Sequence, residues 1–137
     1  MHDDNTRTVL ITGGTGGIGL HSAIGIAKTG ATILVSGRNA DRGQAACDTI
    51  AQASDNPRIQ FVQGDVSSIR GIDALASAAS SQIDTLDVLV NNAGYFGDQL
   101  RQSDDGLELH FAVNVLAPWR LTHALLPVLK AAPHARV

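Results

Sequence analysis

Thr12-Gly13-Gly14-Thr15-Gly16-Gly17-Ile18-Gly19 is the stretch that decides the fold. It follows a short β-branched run, Val9 to Ile11, and opens an Ala-rich run of helical period, Ile18 to Lys28. Strand, glycine turn and helix in that order point to a phosphate-binding loop. Glycine permits positive φ and close backbone approach to a pyrophosphate, and the helix N-terminus offers unpaired N–H groups at its positive dipole end. Two spacings overlap: Gly14, Gly16 and Gly19 fit G-x-G-x-x-G, while Gly13, Gly17 and Gly19 fit G-x-x-x-G-x-G. The P-loop of nucleoside triphosphatases is excluded, since Leu20 and His21 stand where Lys and Ser or Thr would follow the last glycine. A flexible glycine-rich turn is the bland alternative.

Outward from this loop the same alternation repeats. Ala31 to Val35 precedes Asp41 to Ala53, Arg58 to Val62 precedes Ser68 to Ile83, and Leu86 to Val90 precedes Asp104 to Lys130. A βαβαβαβα rhythm implies right-handed crossovers and a doubly wound parallel sheet with helices on both faces. Gly30 marks the end of the first helix, and Asp55-Asn56-Pro57 marks a loop before the third strand. Pro118 and Pro127 predict a kink or division in the last helical stretch.

Composition agrees with one α/β domain over residues 1–137. The chain is 44% hydrophobic and only 4% aromatic, so the core is built from Ala, Val, Leu and Ile, as in helices packed closely on a parallel sheet. A net charge of −3 with ten scattered Lys and Arg argues against a nucleic-acid partner. The single cysteine, Cys47, cannot form an intrachain disulfide, and the start MHDDNTR lacks the positive patch and apolar run of a signal peptide. No apolar run reaches the length of a membrane span, so the expected location is a reducing cytoplasm. His2, His21, His110, His123 and His134 lack metal-ligand spacing, and no metal is expected.

The end of the second strand bears on the ligand. A dinucleotide fold places an acidic residue there to hold a ribose 2′-hydroxyl, or an Arg to accommodate a 2′-phosphate. This chain reads Ser36-Gly37-Arg38-Asn39, with a charged planar fork and no carboxylate, which favours NADP(H) over NAD(H). A solvated Arg38 at a strand exit is the alternative.

Taken together, these motifs resemble the short-chain dehydrogenase/reductase family, in its N-terminal, Rossmann-type half. Thr12 to Gly19 match the family's TGxxxGIG loop, with Thr12, Gly13, Thr15, Gly16, Gly17, Ile18 and Gly19 as implied cofactor contacts beside Arg38 and Asn39. Gly64-Asp65-Val66 looks like its acidic contact to the adenine, placing Asp65 and Val66 in the site. Asn91-Asn92-Ala93-Gly94 is similar to its NNAG motif, which brings in Asn92, Ala93 and Gly94. The stretch from Asp105 to Pro118 looks most like members related to retinol dehydrogenases and protochlorophyllide reductases, and by that resemblance Asn114 is the helix asparagine that supports a water-linked proton relay. The resemblance implies strand order 3-2-1-4, an apolar carbonyl or secondary-alcohol substrate, and a homo-oligomer through helix 104–130. Read from the residues alone, Asp65 could instead help cap the following helix, and Asn91 and Asn92 could shape the loop.

Carbonyl reduction also needs a proton donor. In the family this is the Tyr of Y-x-x-x-K, helped by a Ser on the fifth strand. Tyr95 is the one tyrosine here, Gln99 occupies the position four residues on, and Tyr95 precedes Asn114 where the family's Tyr follows it. Tyr95 is therefore not that residue. Ala135-Arg136-Val137 resembles the opening of the fifth strand. The expectation is a Rossmann-type domain truncated there, inactive alone, with strand four left as an unpaired edge. A non-catalytic dinucleotide-binding or interaction module is the alternative function. His110 and Asn114 share a helix face, and Asp104, Asp105 and Glu108 read as a polar helix start.

Overall fold

The computed structural model describes residues 6–137; His2 and most of the polar start considered above lie outside the described residues. Four parallel strands, β1 (Thr8–Thr12), β2 (Thr32–Gly37), β3 (Ile59–Gln63) and β4 (Val88–Val90), form one sheet in the order β3-β2-β1-β4. Helices α1 (Gly17–Ala27), α2 (Ala40–Ser54) and α3 (Ile69–Ser80) connect them. The expected doubly wound α/β architecture and its strand order are both observed.

Alternation along the strands explains why both faces are covered. Leu10, Leu34 and Leu89 point to one face, where they pack with Ile72, Leu75, Leu121 and Leu125. Val9, Ile11, Ile33 and Val35 point to the other, against Ala23, Ala27 and Ile50. With both faces buried, β1 and β2 read as unbroken apolar runs. Each fully buried Leu or Ile contributes about 1.5 to 3 kcal/mol.

The punctuation falls where chain chemistry puts it. Gly30 adopts φ +87 just past α1. Asp55 ends α2 at φ 54, and the buried Asn56 amide donates to the carbonyls of Ala27 and Ala31, tying this loop to the end of the first helix.

The last helical stretch differs from expectation. Residues 103–106 form a tight turn, with Gly106 at φ +74 and its N–H donated to the Ser103 carbonyl, so no helix starts at Asp104. Helix begins at α4 (Leu109–Phe111), passes through a π-helical turn (Ala112–Leu116) and continues as α5 (Ala117–Ala124). The chain then breaks at Leu125 before α6 (Leu126–Ala131). Pro118 and Pro127 each sit in the first turn of a helix, where a missing N–H is tolerated. Phe111, Val115 and Trp119, four residues apart, are all exposed along this stretch.

The edge of β4 also differs from expectation. Arg136 accepts from the Leu89 N–H and donates to the Asp87 carbonyl, both at 2.9 Å, as a parallel bridge to Val88. That edge therefore carries the first rungs of a ladder. Among the described residues no helix is long and apolar enough to cross a membrane.

Candidate functional site

A cleft of about 690 Å³ opens at the carboxyl ends of the strands, where the chain leaves β1, β2, β3 and β4 at Gly13, Gly37, Gly64 and Asn92. Ligands of open α/β sheets bind in this position.

The glycine turn forms its floor. Gly13 adopts φ +64, and a Cβ there would stand 3.1 Å from both the Ala93 Cα and the Asn92 side-chain nitrogen. A Cβ on Gly19 would collide with the Gly13 carbonyl oxygen and the Asn92 amide. Neither position has room for a side chain. Gly16 is the N-cap of α1, and no side chain caps that helix, whereas Asn39 caps α2 and Ser68 caps α3. The α1 N-terminus is thus left for a ligand or water to satisfy.

Of the sequence-predicted contacts, Gly13, Thr15, Arg38, Asn39, Asp65, Val66, Asn92, Ala93 and Gly94 line the cleft. Thr12, Gly16, Gly17, Ile18 and Gly19 are not part of its lining. Thr12 is buried, and its hydroxyl accepts from the Ala93 N–H at 3.0 Å and donates to the Val90 carbonyl at 3.4 Å. Ile18 is 81% exposed on the outside of α1.

At the α2 side of the cleft two arginines face it where one was expected, and Arg101 lines it as well. Arg38 leaves the end of β2, and Arg42 reaches from the first turn of α2 to within 3.6 Å of where a Cβ on Gly16 would stand. Asn39 holds that turn, its side-chain oxygen accepting from the Arg42 N–H at 2.9 Å. Arg42 was missed because a cation in the first turn opposes the helix dipole and reads as a solvated surface residue. Its signal was its place one turn beyond Arg38.

On the opposite wall, Asp65 does not cap α3. Its carboxylate accepts from the Ser67 N–H at 2.9 Å in a local turn, and the cap is Ser68, whose hydroxyl accepts from the Gly71 N–H at 3.1 Å. Asn92 donates to the carbonyls of Thr12 and Gly13 at 3.0 and 3.1 Å, stitching the end of β4 to the glycine turn. Asn91 points away, toward the Thr122 hydroxyl at 3.4 Å.

Asn114 lies in the π-helical turn, and its amide brackets one residue: the oxygen accepts from the Tyr95 N–H and the nitrogen donates to the Tyr95 carbonyl, both at 2.8 Å. Tyr95 lines the cleft with its ring edge-on to His110, the centroids 4.8 Å apart.

The three carboxylates expected at one polar helix start serve different ends. Glu108 is the N-cap of α4 and accepts from the N–H groups of His110 and Phe111 at 3.0 Å. It also bonds the His110 ring at Nδ1, 2.7 Å away, while Nε2 accepts from the Gly97 N–H at 3.1 Å; the ring proton therefore sits on Nδ1. The His110 ring first, then the two N–H groups, hold the Glu108 carboxyl well below its ordinary range, at about 2. Asp105 serves another helix altogether, accepting from the Ile69 N–H at the start of α3. Asp104 lines the cleft. No group of His, Cys, Asp or Glu among the described residues could hold a metal ion.

This geometry has close counterparts. The family model for short chain dehydrogenases matches residues 7–137. Human dehydrogenase/reductase SDR family member 13 is 36% identical over 131 residues, covering 96% of this chain and 34% of that protein. Mouse retinol dehydrogenase 13 is 32% identical, again over 96% of this chain and 39% of the relative. Among solved structures, L-sorbose reductase from Gluconobacter frateurii, complexed with NADPH and L-sorbose, superposes with a TM-score of 0.80 at 32% identity, covering 92% of this chain and 48% of that one. The chain thus spans between a third and a half of the length of these relatives.

Proposed function

The chain belongs to the short chain dehydrogenase family, and on that premise we propose that residues 1–137 form the NADP(H)-binding part of an oxidoreductase acting on carbonyls or secondary alcohols. The observation that carries the cofactor choice is the pair Arg38 and Arg42, which face the cleft beside the glycine turn with no carboxylate at the end of β2. A ribose 2′-phosphate fits two fixed cations, whereas a 2′-hydroxyl calls for an acceptor.

The residues present suit such a group. The uncapped start of α1, with Gly13 and Gly19 leaving no Cβ in the way, would hold the pyrophosphate. Asp65 and Val66 would flank the adenine, and Asn92, Ala93 and Gly94 would support the nicotinamide half. The chemistry supplied on binding is hydride transfer at the nicotinamide. Asn114 is read as a positioning residue, because both its amide atoms are committed to Tyr95. Any share it takes in a water-linked proton relay falls to its main-chain carbonyl. Pro118, four residues on, has no N–H to return to that carbonyl. Proton donation is assigned to a residue other than Tyr95. Retinol dehydrogenase 13 among the relatives favours an apolar substrate.

Titrating the chain with NADPH and NADH, followed by reduced-nicotinamide fluorescence, tests the cofactor choice. Arg38→Glu is expected to weaken NADPH about a hundredfold and NADH less than about threefold, the scale of a lost and reversed charge-assisted contact. Equal loss for both would overturn the NADP(H) assignment.

A further inference from the structure

The chain after β4 would be expected to serve the nicotinamide side of the cleft, since β4 lies at that edge of the sheet. Residues 101–109 instead cross back toward α3. Ser103 and Leu107 close a short hairpin at 2.7 Å, Gln102 bridges Glu108, and the Leu109 N–H donates to the Arg101 carbonyl. At its tip the Asp105 carboxylate accepts from the Ile69 N–H at 2.8 Å. Ile69 lies two residues beyond the Asp65–Ser67 wall of the cleft, and Arg101, Gln102, Ser103 and Asp104 line the same cleft.

Arg120 of α5 reinforces this junction. It makes a paired hydrogen bond with Asp73 of α3 at 2.7 and 2.8 Å, and Asp105 adds to the charge around its guanidinium. Hairpin, α3 and α5 therefore meet at one polar knot, and the Asp105 side chain makes the hydrogen bond from the hairpin to α3.

We propose that Asp105 is a positioning residue for the dinucleotide: by latching the 101–108 hairpin onto the start of α3, it closes the adenosine end of the cleft opposite Arg38 and Arg42. It needs no contact with the ligand. An unlatched hairpin leaves Asp65 and Val66 facing open solvent, and the adenosine half loses a wall. This inference rests on the NADP(H) reading above.

Asp105→Ala removes the acceptor, whereas Asp105→Asn keeps an oxygen that can accept from the Ile69 N–H while discarding the charge. Affinities of the 137-residue chain for NADPH, by cofactor fluorescence, and for 2′,5′-ADP, by calorimetry, provide the test. Asp105→Ala should weaken both ligands by the same factor, roughly three- to tenfold, the scale of one ordinary net hydrogen bond. Asp105→Asn should stay within about twofold of wild type. Because Asp105 is exposed, the ligand-free melting temperatures of all three should lie within about 2 °C. If Asp105→Ala binds both ligands like wild type, or loses NADPH while keeping 2′,5′-ADP, the latch is wrong and the cofactor reading survives. If wild type binds neither ligand, the cofactor reading fails and takes the latch with it.

Discussion

Around the glycine turn the cleft wall is backbone packed on backbone, whereas beyond β4 the wall is a loop hung on side-chain hydrogen bonds. Gly13 and Gly19 bring main chain against main chain and against the Asn92 amide, so that a methyl group would clash at Gly19 and crowd its neighbours at Gly13. Tyr95, Gly97 and the 101–108 hairpin are instead held by Asn114, His110, Glu108 and Asp105. The first wall cannot move without unfolding its neighbours. The second can be loosened one residue at a time, which suits a segment that must admit and release a ligand.

The sharpest way to break this comparison is Gly19→Ala. The new methyl would meet the Gly13 carbonyl, which is backbone, and the Asn92 side-chain nitrogen, which is held by its bonds to the Thr12 and Gly13 carbonyls. Helix propensity alone favours alanine, so a neutral or stabilising result would show that the turn has slack. A loss of about 3 kcal/mol is expected, with a fall in melting temperature of roughly 10 °C and no measurable NADPH binding.

The same contrast explains what could be read from the chain alone. Where structure is set by backbone sterics and hydrophobic period, the sequence announces it: the glycine turn, the strand order of the resembled family and the β2-end arginine all stand where expected. Where structure is set by side-chain pairing over long separations, it does not. Asp105 and Ile69 lie 36 positions apart, and Asn114 and Tyr95 lie 19 apart, so no local pattern marks either pair. The acidic run from Asp104 to Glu108 reads as one helix start because local charge statistics cannot say that Gly106 interrupts it with a positive φ. Arg42 went unread for a related reason, since its role depends on α2 pointing its first turn at the start of α1.

Asn114→Ala probes the second wall. It removes both bonds to Tyr95 without touching the sheet, and each net hydrogen bond is worth about 1 kcal/mol, less where water can replace it. A destabilisation of about 1 to 2 kcal/mol is expected, with faster amide exchange at Tyr95 and Gly97 and unchanged protection in β1 and β2. If protection were lost in β1 as well, the two walls would form one cooperative unit and the contrast between them would collapse.

The smallest effect is the one that acidity should produce on the second wall alone. Glu108 accepts from two N–H groups and the His110 ring more strongly when ionised, and these bonds, the ring first, lower its carboxyl from an ordinary 4.5 to about 2. A carboxyl lowered in the folded chain contributes stability that is complete above its unfolded value and is lost as pH falls through the folded one. The contribution should therefore be whole above about pH 4.5 and drain away toward about pH 2. Glu108→Gln has no such proton to take up, so its melting temperature should lie below that of wild type near neutral pH. The gap between the two should narrow steadily across that acid window. The glycine turn has no titrating group among its bonds, so Gly19→Ala should show no comparable convergence with wild type. A gap between wild type and Glu108→Gln that stayed constant from neutral pH to about pH 2 would mean that the loop is held by packing rather than by the charged cap.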